Sequence, residues 1–181
     1  MRNFLISLVC LFSATAFAAP TVLFETTLGD FEVELYSEKS PVTVKNFLKY
    51  VEDGSYEGSI FHRVIPHFMA QGGGFDTDFK RLPTYAPIKN EASNRMTNDA
   101  ATIAMARTSD PHSATRQFFI NFEDNKALDY MHGNDGYAVF GKVVKGFDVV
   151  KSMAKQKTAS IGGYHDVPVT AIVINKVSIK E

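Results

Sequence analysis

The sequence predicts a mainly β domain, built from six to eight short antiparallel strands with only two helices. Three observations lead there. Short apolar runs with period-two alternation recur along the chain between Gly, Pro and Asp turn signals. Only two stretches carry helical spacing, and they do not alternate with strands as a parallel α/β fold requires. The 181 residues suit one domain, and neither an internal repeat nor an interdomain linker is visible. A barrel and a two-sheet sandwich would both protect the strand edges, and spacing alone leaves the two open.

The composition is that of an ordinary globular protein, with 45% hydrophobic and 22% charged residues. Fifteen Phe and no Trp imply a core built on phenylalanine. A net charge of -1 argues against nucleic acid or an anionic membrane surface as partner. Residues 1–18 read as a removable signal peptide: Arg2 is a short positive region, Phe4 to Phe17 carry no charge, and Ala16-Phe17-Ala18 is an A-x-A cleavage site. The apolar run is short for a bilayer span, so no stable membrane insertion is expected after cleavage. The mature domain would then be residues 19–181, located in the periplasm, with secretion as second choice. The chain's one cysteine, Cys10, lies in the signal and leaves with it, which excludes disulfides, thiol catalysis and thiolate metal sites from the mature domain.

In chain order, Thr21 to Leu28 and Phe31 to Tyr36 alternate around Gly29-Asp30, a hairpin signal. Ser40 as N-cap and Pro41 at the first position open a helix. Its apolar stripe is Val44, Phe47, Leu48 and Val51, and Gly54 ends it. The run Phe61 to Phe75 holds two short strands about a Pro66-His67 turn. Asp76 to Asn98 is a long polar stretch with little periodicity, expected to be a functional loop or surface excursion. Ala101 to Ala106, Gln117 to Phe122 and Tyr137 to Val144 read as strands. A short helix near Gly146 carries Phe147, Val150 and Met153, and Val169 to Ile179 closes the chain as a strand.

The chemistry concentrates in FHRVIPHFMAQGGGF, residues 61–75. Alternation places Arg63, Met69 and Gln71 on one face if no bulge intervenes. That face is apolar with one permanent cation and one neutral amide, and it has no nucleophile or acid–base pair. Such a site suits a substrate that is held, desolvated and twisted rather than cleaved. His62 adjoins Arg63 but is read as structural. The five His lack metal-ligand spacing. Gly72 to Gly74 lack the Lys-Ser/Thr of a phosphate loop, so close backbone approach beside a groove accounts for them better.

FHRVIPHFMAQGGGF, IAMAR, QFFIN, LD and AVFGKVVKG, in this order and spacing, resemble the cyclophilin family of peptidyl-prolyl cis-trans isomerases, most closely the exported forms of Gram-negative bacteria. The resemblance covers essentially the whole chain after the signal. It implies an eight-stranded antiparallel closed β-barrel capped by two helices. It also implies that Arg63 is catalytic and that Gln71 helps to hold the substrate backbone and the arginine. Phe68, Met69, Phe119 and Leu128 would take the proline ring, and Ala106, Arg107 and Gln117 would line the groove for the peptide backbone. Tyr137 stands where many eukaryotic relatives carry His. Ala127 stands where many carry a Trp associated with cyclosporin binding, which implies weak affinity for that drug.

The function implied is rotation about X-Pro bonds in proline-containing unfolded or partly folded exported chains, by a monomer without cofactor or metal. The alternative is a chaperone or scaffold module that binds proline segments with incidental catalysis. An intact Arg63 favours the enzyme, since pure binding does not need that cation. A hydrolase finds no supporting Ser/His/Asp or paired-carboxylate arrangement.

Overall fold

The computed structural model describes residues 19–180; the expected signal peptide lies outside the described residues. The strands are β1 (Thr21–Thr26), β2 (Gly29–Leu35), β3 (Phe61–Ile65), β4 (Met69–Gly72), β5 (Thr102–Met105), β6 (Phe118–Asn121), β7 (Val139–Lys145), β8 (Thr158–Ile161), β9 (Tyr164–Pro168) and β10 (Ile174–Lys180). The helices are α1 (Pro41–Glu52) and α2 (Phe147–Met153). Eight strands form one antiparallel sheet in the order β10-β1-β2-β7-β5-β6-β4-β3, and β8 and β9 form a separate hairpin.

The mainly β fold with two helices is as expected, but the closed barrel needs correction. The edge strands β3 and β10 share no ladder. They meet at a single bridge, Ile60 with Val173, flanked by Phe61 N–H to Ile172 O at 2.9 Å and Ile174 N–H to Ser59 O at 2.8 Å. A bulge between Phe61 and Arg63 breaks the register of β3, and the β8–β9 hairpin packs against that strand instead. The sheet is therefore a strongly curled half-barrel. The hairpin was not foreseen, although Gly162-Gly163 at its turn is a hairpin signal.

Alternation along the strands sorts side chains onto two faces. Val22, Phe24, Phe31, Val33, Ile103, Met105, Phe118, Ile120 and Phe140 enter the main core. There Phe24 stacks on Phe31 with ring centres 4.7 Å apart, and Phe47 of α1 meets Phe118 edge to face at 6.0 Å. Such pairs add about 0.5–1.5 kcal/mol each beyond area burial. Met69, Ala104, Phe119 and Val139 point the other way and form a second buried cluster. That cluster is the floor of the site.

Loops fix the rest. Ser40 occupies the N-cap position of α1, but its hydroxyl donates to Val139 O at 2.6 Å. The helix amides of Val42 and Thr43 donate instead to the Glu91 carboxylate, at 3.1 and 2.8 Å. An anion at a helix N-terminus is favourable in both charge and hydrogen bonding. The long polar stretch 76–98 is thus a strap tied down at Glu91. Asn94 ties it again, its side-chain amide donating to Lys39 O at 2.8 Å.

Candidate active site

Met69 of β4 pairs with Ile65 and Gln71 pairs with Arg63, so the β3–β4 hairpin presents Arg63, Met69 and Gln71 together. The bulge falls before Arg63 and leaves this shared face intact. Together with Phe68, Ala106, Arg107, Phe119, Leu128 and Tyr137 they line a recess of about 150 Å³. An apolar cavity of about that volume holds a six-membered ring. Gln117, the tenth expected residue, lines an adjoining recess of about 180 Å³ that shares Gln71, Ala106 and Arg107. The two form one groove. A larger recess of about 610 Å³, lined by Met96, Lys126, Tyr130 and Met131 among others, contains none of the expected residues.

The floor is buried and apolar and the rim polar. Met69 and Phe119 are 2% and 4% exposed, whereas the Arg63 side chain keeps 41% of its surface open. Phe119 meets Tyr137 edge to face at 5.6 Å, and the Arg107 guanidinium lies over the other ring, 4.5 Å from the Tyr137 centre. Arg107 is further held by donation from Nε to Gly136 O at 3.0 Å. Gln71 Nε2 donates to Gln117 Oε1 at 2.9 Å, a bond that leaves out Gln71 Oε1, the atom able to accept from an arginine. Among the described residues, Arg63 has one charged neighbour, Asp166 Oδ2, 3.8 Å from its Nε.

The glycines are explained by approach. A Cβ on Gly74 would lie 2.5 Å from the Gln117 side chain, so the strand end must carry no side chain if that glutamine is to reach Gln71. Gly73 has φ of +83°, and a Cβ there would lie 2.9 Å from Phe118 and Tyr56. His62 is structural, as the sequence suggested. It is 5% exposed and its ring lies 4.7 Å from Phe75. Burial, aided by the charges of Arg63 and Arg81, lowers its pKa to about 4, so it is neutral at neutral pH.

Several supporting residues were not legible in the sequence. Asn121, fully buried, donates to Thr102 Oγ1 at 2.9 Å and accepts from Asn125 Nδ2 at 2.8 Å. Asn125 also donates to Phe68 O at 2.9 Å, and Asn98 Nδ2 to Leu128 O at 3.1 Å. This amide network ties two residues of the recess, Phe68 and Leu128, to the sheet. Arg116, 2% exposed, donates to Gly73 O at 2.6 Å, to Pro83 O at 2.7 Å and to Ser55 O, and so holds the glycine turn from behind. Scattered Asn residues and a lone Arg carry no periodic signal; only the fold reveals their partners.

The family model for cyclophilin-type peptidyl-prolyl cis-trans isomerase/CLD matches residues 21–179. A peptidyl-prolyl cis-trans isomerase of Acinetobacter baylyi is 53% identical over 170 residues, covering 94% of this chain and 90% of that protein. Peptidyl-prolyl cis-trans isomerase A of Dickeya dadantii is 49% identical over 185 residues, covering 98% and 97%. Among solved structures, a cyclophilin-type isomerase of Cryptosporidium parvum, crystallised in the presence of the dipeptide Ala-Pro, superposes with a TM-score of 0.70 at 26% identity, covering 89% of this chain and 99% of that one. A match over nearly the whole described chain, with relatives near half identity, leaves one assignment: the chain belongs to the cyclophilin-type peptidyl-prolyl cis-trans isomerases.

Proposed function

We propose that this isomerase acts on X-Pro bonds of exported polypeptides, with the proline ring in the recess of Phe68, Met69, Phe119 and Leu128 and Arg63 as the catalytic group. The observation that carries this reading is a half-exposed arginine side chain beside a recess of about 150 Å³ with a floor of Met69 and Phe119 and a polar rim. Rotation about a peptide bond meets a barrier of roughly 18–20 kcal/mol, because the nitrogen lone pair is delocalised into the carbonyl. In the twisted state the prolyl nitrogen regains that lone pair and becomes an acceptor. Arg63 donates to it there and has almost nothing to donate to in the planar ground state. That is differential binding of the transition state, and it is electrostatic. The apolar floor disfavours the charge-separated resonance form of the amide and grips the ring while the preceding carbonyl swings. Gln71, oriented by Gln117, presents a carbonyl–amide pair along the groove for the substrate backbone. The Cryptosporidium relative was crystallised in the presence of Ala-Pro, which fits a proline-containing peptide as the ligand here.

Exchange NMR on a short Ala-Pro peptide tests the assignment. Arg63→Ala is expected to lower kcat/KM about a hundredfold, equivalent to ~2.7 kcal/mol of transition-state stabilisation. Peptide affinity should fall far less. Phe119→Ala should weaken both, because it removes surface that binds ground and transition states alike. Full exchange rate in Arg63→Ala would overturn the assignment of Arg63.

Export rests on Arg2, the uncharged run to Phe17 and Ala16-Phe17-Ala18. The periplasmic protein is expected to begin at Ala19 on N-terminal sequencing; full-length chain recovered from the cytosol would refute it.

A further inference from the structure

The hairpin absent from the sequence reading reaches the site through one residue. Asp166 of β9 adopts φ of +60°, a left-handed conformation, one residue before Val167, which is 2% exposed. Two residues earlier Tyr164 lies edge to face on Phe75 at 5.1 Å and against Phe79 at 5.5 Å. The backbone of β9 is thus clamped on both sides of Asp166. Non-glycine residues adopt this conformation at a free-energy cost and hold it where surrounding structure over-determines it. At this clamped, unfavourable position the carboxylate Oδ2 stands 3.8 Å from Arg63 Nε.

Stability does not explain the pair. Both side chains are about two-fifths exposed, at 41% and 42%, and exposed ion pairs contribute little to folding. Orientation does explain it. The guanidinium is planar, and a carboxylate 3.8 Å from Nε, a charge contact rather than a hydrogen bond, favours orientations that keep that edge toward Asp166. The terminal Nη groups then keep their donors for the substrate. Asp166 supplies the only side-chain contact of opposite charge to Arg63 among the described residues. We infer that Asp166, carried on the β8–β9 hairpin, is a positioning residue that pre-aligns the Arg63 guanidinium for the twisted prolyl nitrogen. This rests on the reading of Arg63 as the catalytic group.

The test is a double-mutant cycle measured by exchange NMR on the Ala-Pro peptide. Asp166→Asn keeps the side-chain size and tolerates the left-handed backbone. It is expected to lower kcat about fivefold with KM within twofold. In the Arg63→Ala background the same change should be silent. The Arg63 Nε–H resonance should broaden in Asp166→Asn as the guanidinium gains freedom. Asp166→Gly, which relieves the backbone, should give the same kcat loss and serves if the Asn variant folds poorly. Unchanged kcat in the folded variant overturns the inference and leaves the Arg63 reading standing. An equal fold-loss in both backgrounds also overturns it, since a merely structural role would behave that way. If Arg63→Ala itself retains full rate, the reading of the site fails and the positioning role fails with it.

Discussion

Acid should destabilise this protein through one histidine, and the magnitude follows from its burial. His62 lies 5% exposed against Phe75, and its Nδ1 has no partner among the described residues. Burial first, and the charges of Arg63 and Arg81 second, depress its pKa from 6.5 to about 4 in the folded protein. The unfolded chain therefore binds a proton between these values while the folded chain does not. The contribution of a neutral His62 is fully present above pH 6.5 and is lost as pH falls toward 4. One pKa unit corresponds to about 1.4 kcal/mol, so going from pH 7.5 to 4.5 should remove about 2.5 kcal/mol through this residue. Urea unfolding of wild type and His62→Gln at both pH values isolates the effect from the titration of carboxylates. The variant should start less stable at pH 7.5 but lose about 2.5 kcal/mol less on acidification. Its turnover at neutral pH should stay within about threefold of wild type, because rotation about an amide needs no proton transfer. An identical acid loss in both proteins would refute the buried, neutral histidine.

Two further outcomes follow from the packing behind the groove. Arg116→Met should destabilise by about 3 kcal/mol or more in urea unfolding, because it leaves the carbonyls of Gly73, Pro83 and Ser55 without their charged donor. Gly74→Ala introduces no backbone strain, since its φ lies outside the left-handed region, but its Cβ would meet Gln117 at 2.5 Å. It should lower kcat/KM by roughly tenfold through displacement of Gln117 and Gln71, seen as shifted side-chain amide resonances, with a smaller loss of stability.

How much of this was legible depended on the length scale of the signal. Strand alternation is local, so the hairpin about Gly29-Asp30 was read correctly from sequence, as was the shared face of Arg63, Met69 and Gln71. Recognition of the recess residues came from motif order, because no local rule says that Phe118 enters the core while Phe119 floors a groove. Both are apolar and both are buried, and only sheet curvature assigns their faces. Closure of the sheet depended on how β3 and β10 meet, a relation between chain ends that the bulge after Phe61 upset. Ser40 sits at the predicted helix start, yet Glu91, about fifty residues on, supplies the cap. Polar partners across such separations leave no periodic trace.

The distribution of hydrogen bonds argues where the catalytic work is done. A site that makes and breaks no bonds gains rate only from groups whose interactions strengthen as the amide twists. Gln71, Gln117, Arg107 and the Asn98–Asn121–Asn125 network are already engaged with protein partners. Engaged groups hold a shape, and a rigid shape keeps the recess fixed while the carbonyl turns. Arg63 differs from them: among the described residues its one oppositely charged neighbour is Asp166, at 3.8 Å, and its side chain makes no hydrogen bond to protein. Its always-charged, under-bonded guanidinium costs little to leave partly in water and gains most when an acceptor forms in front of it. The apolar floor sharpens this difference, because an interaction beside Met69 and Phe119 is screened less than one in bulk water. In the proposed reading, it is this contrast between satisfied neighbours and an unsatisfied arginine that makes the groove an isomerase site rather than one that merely binds proline.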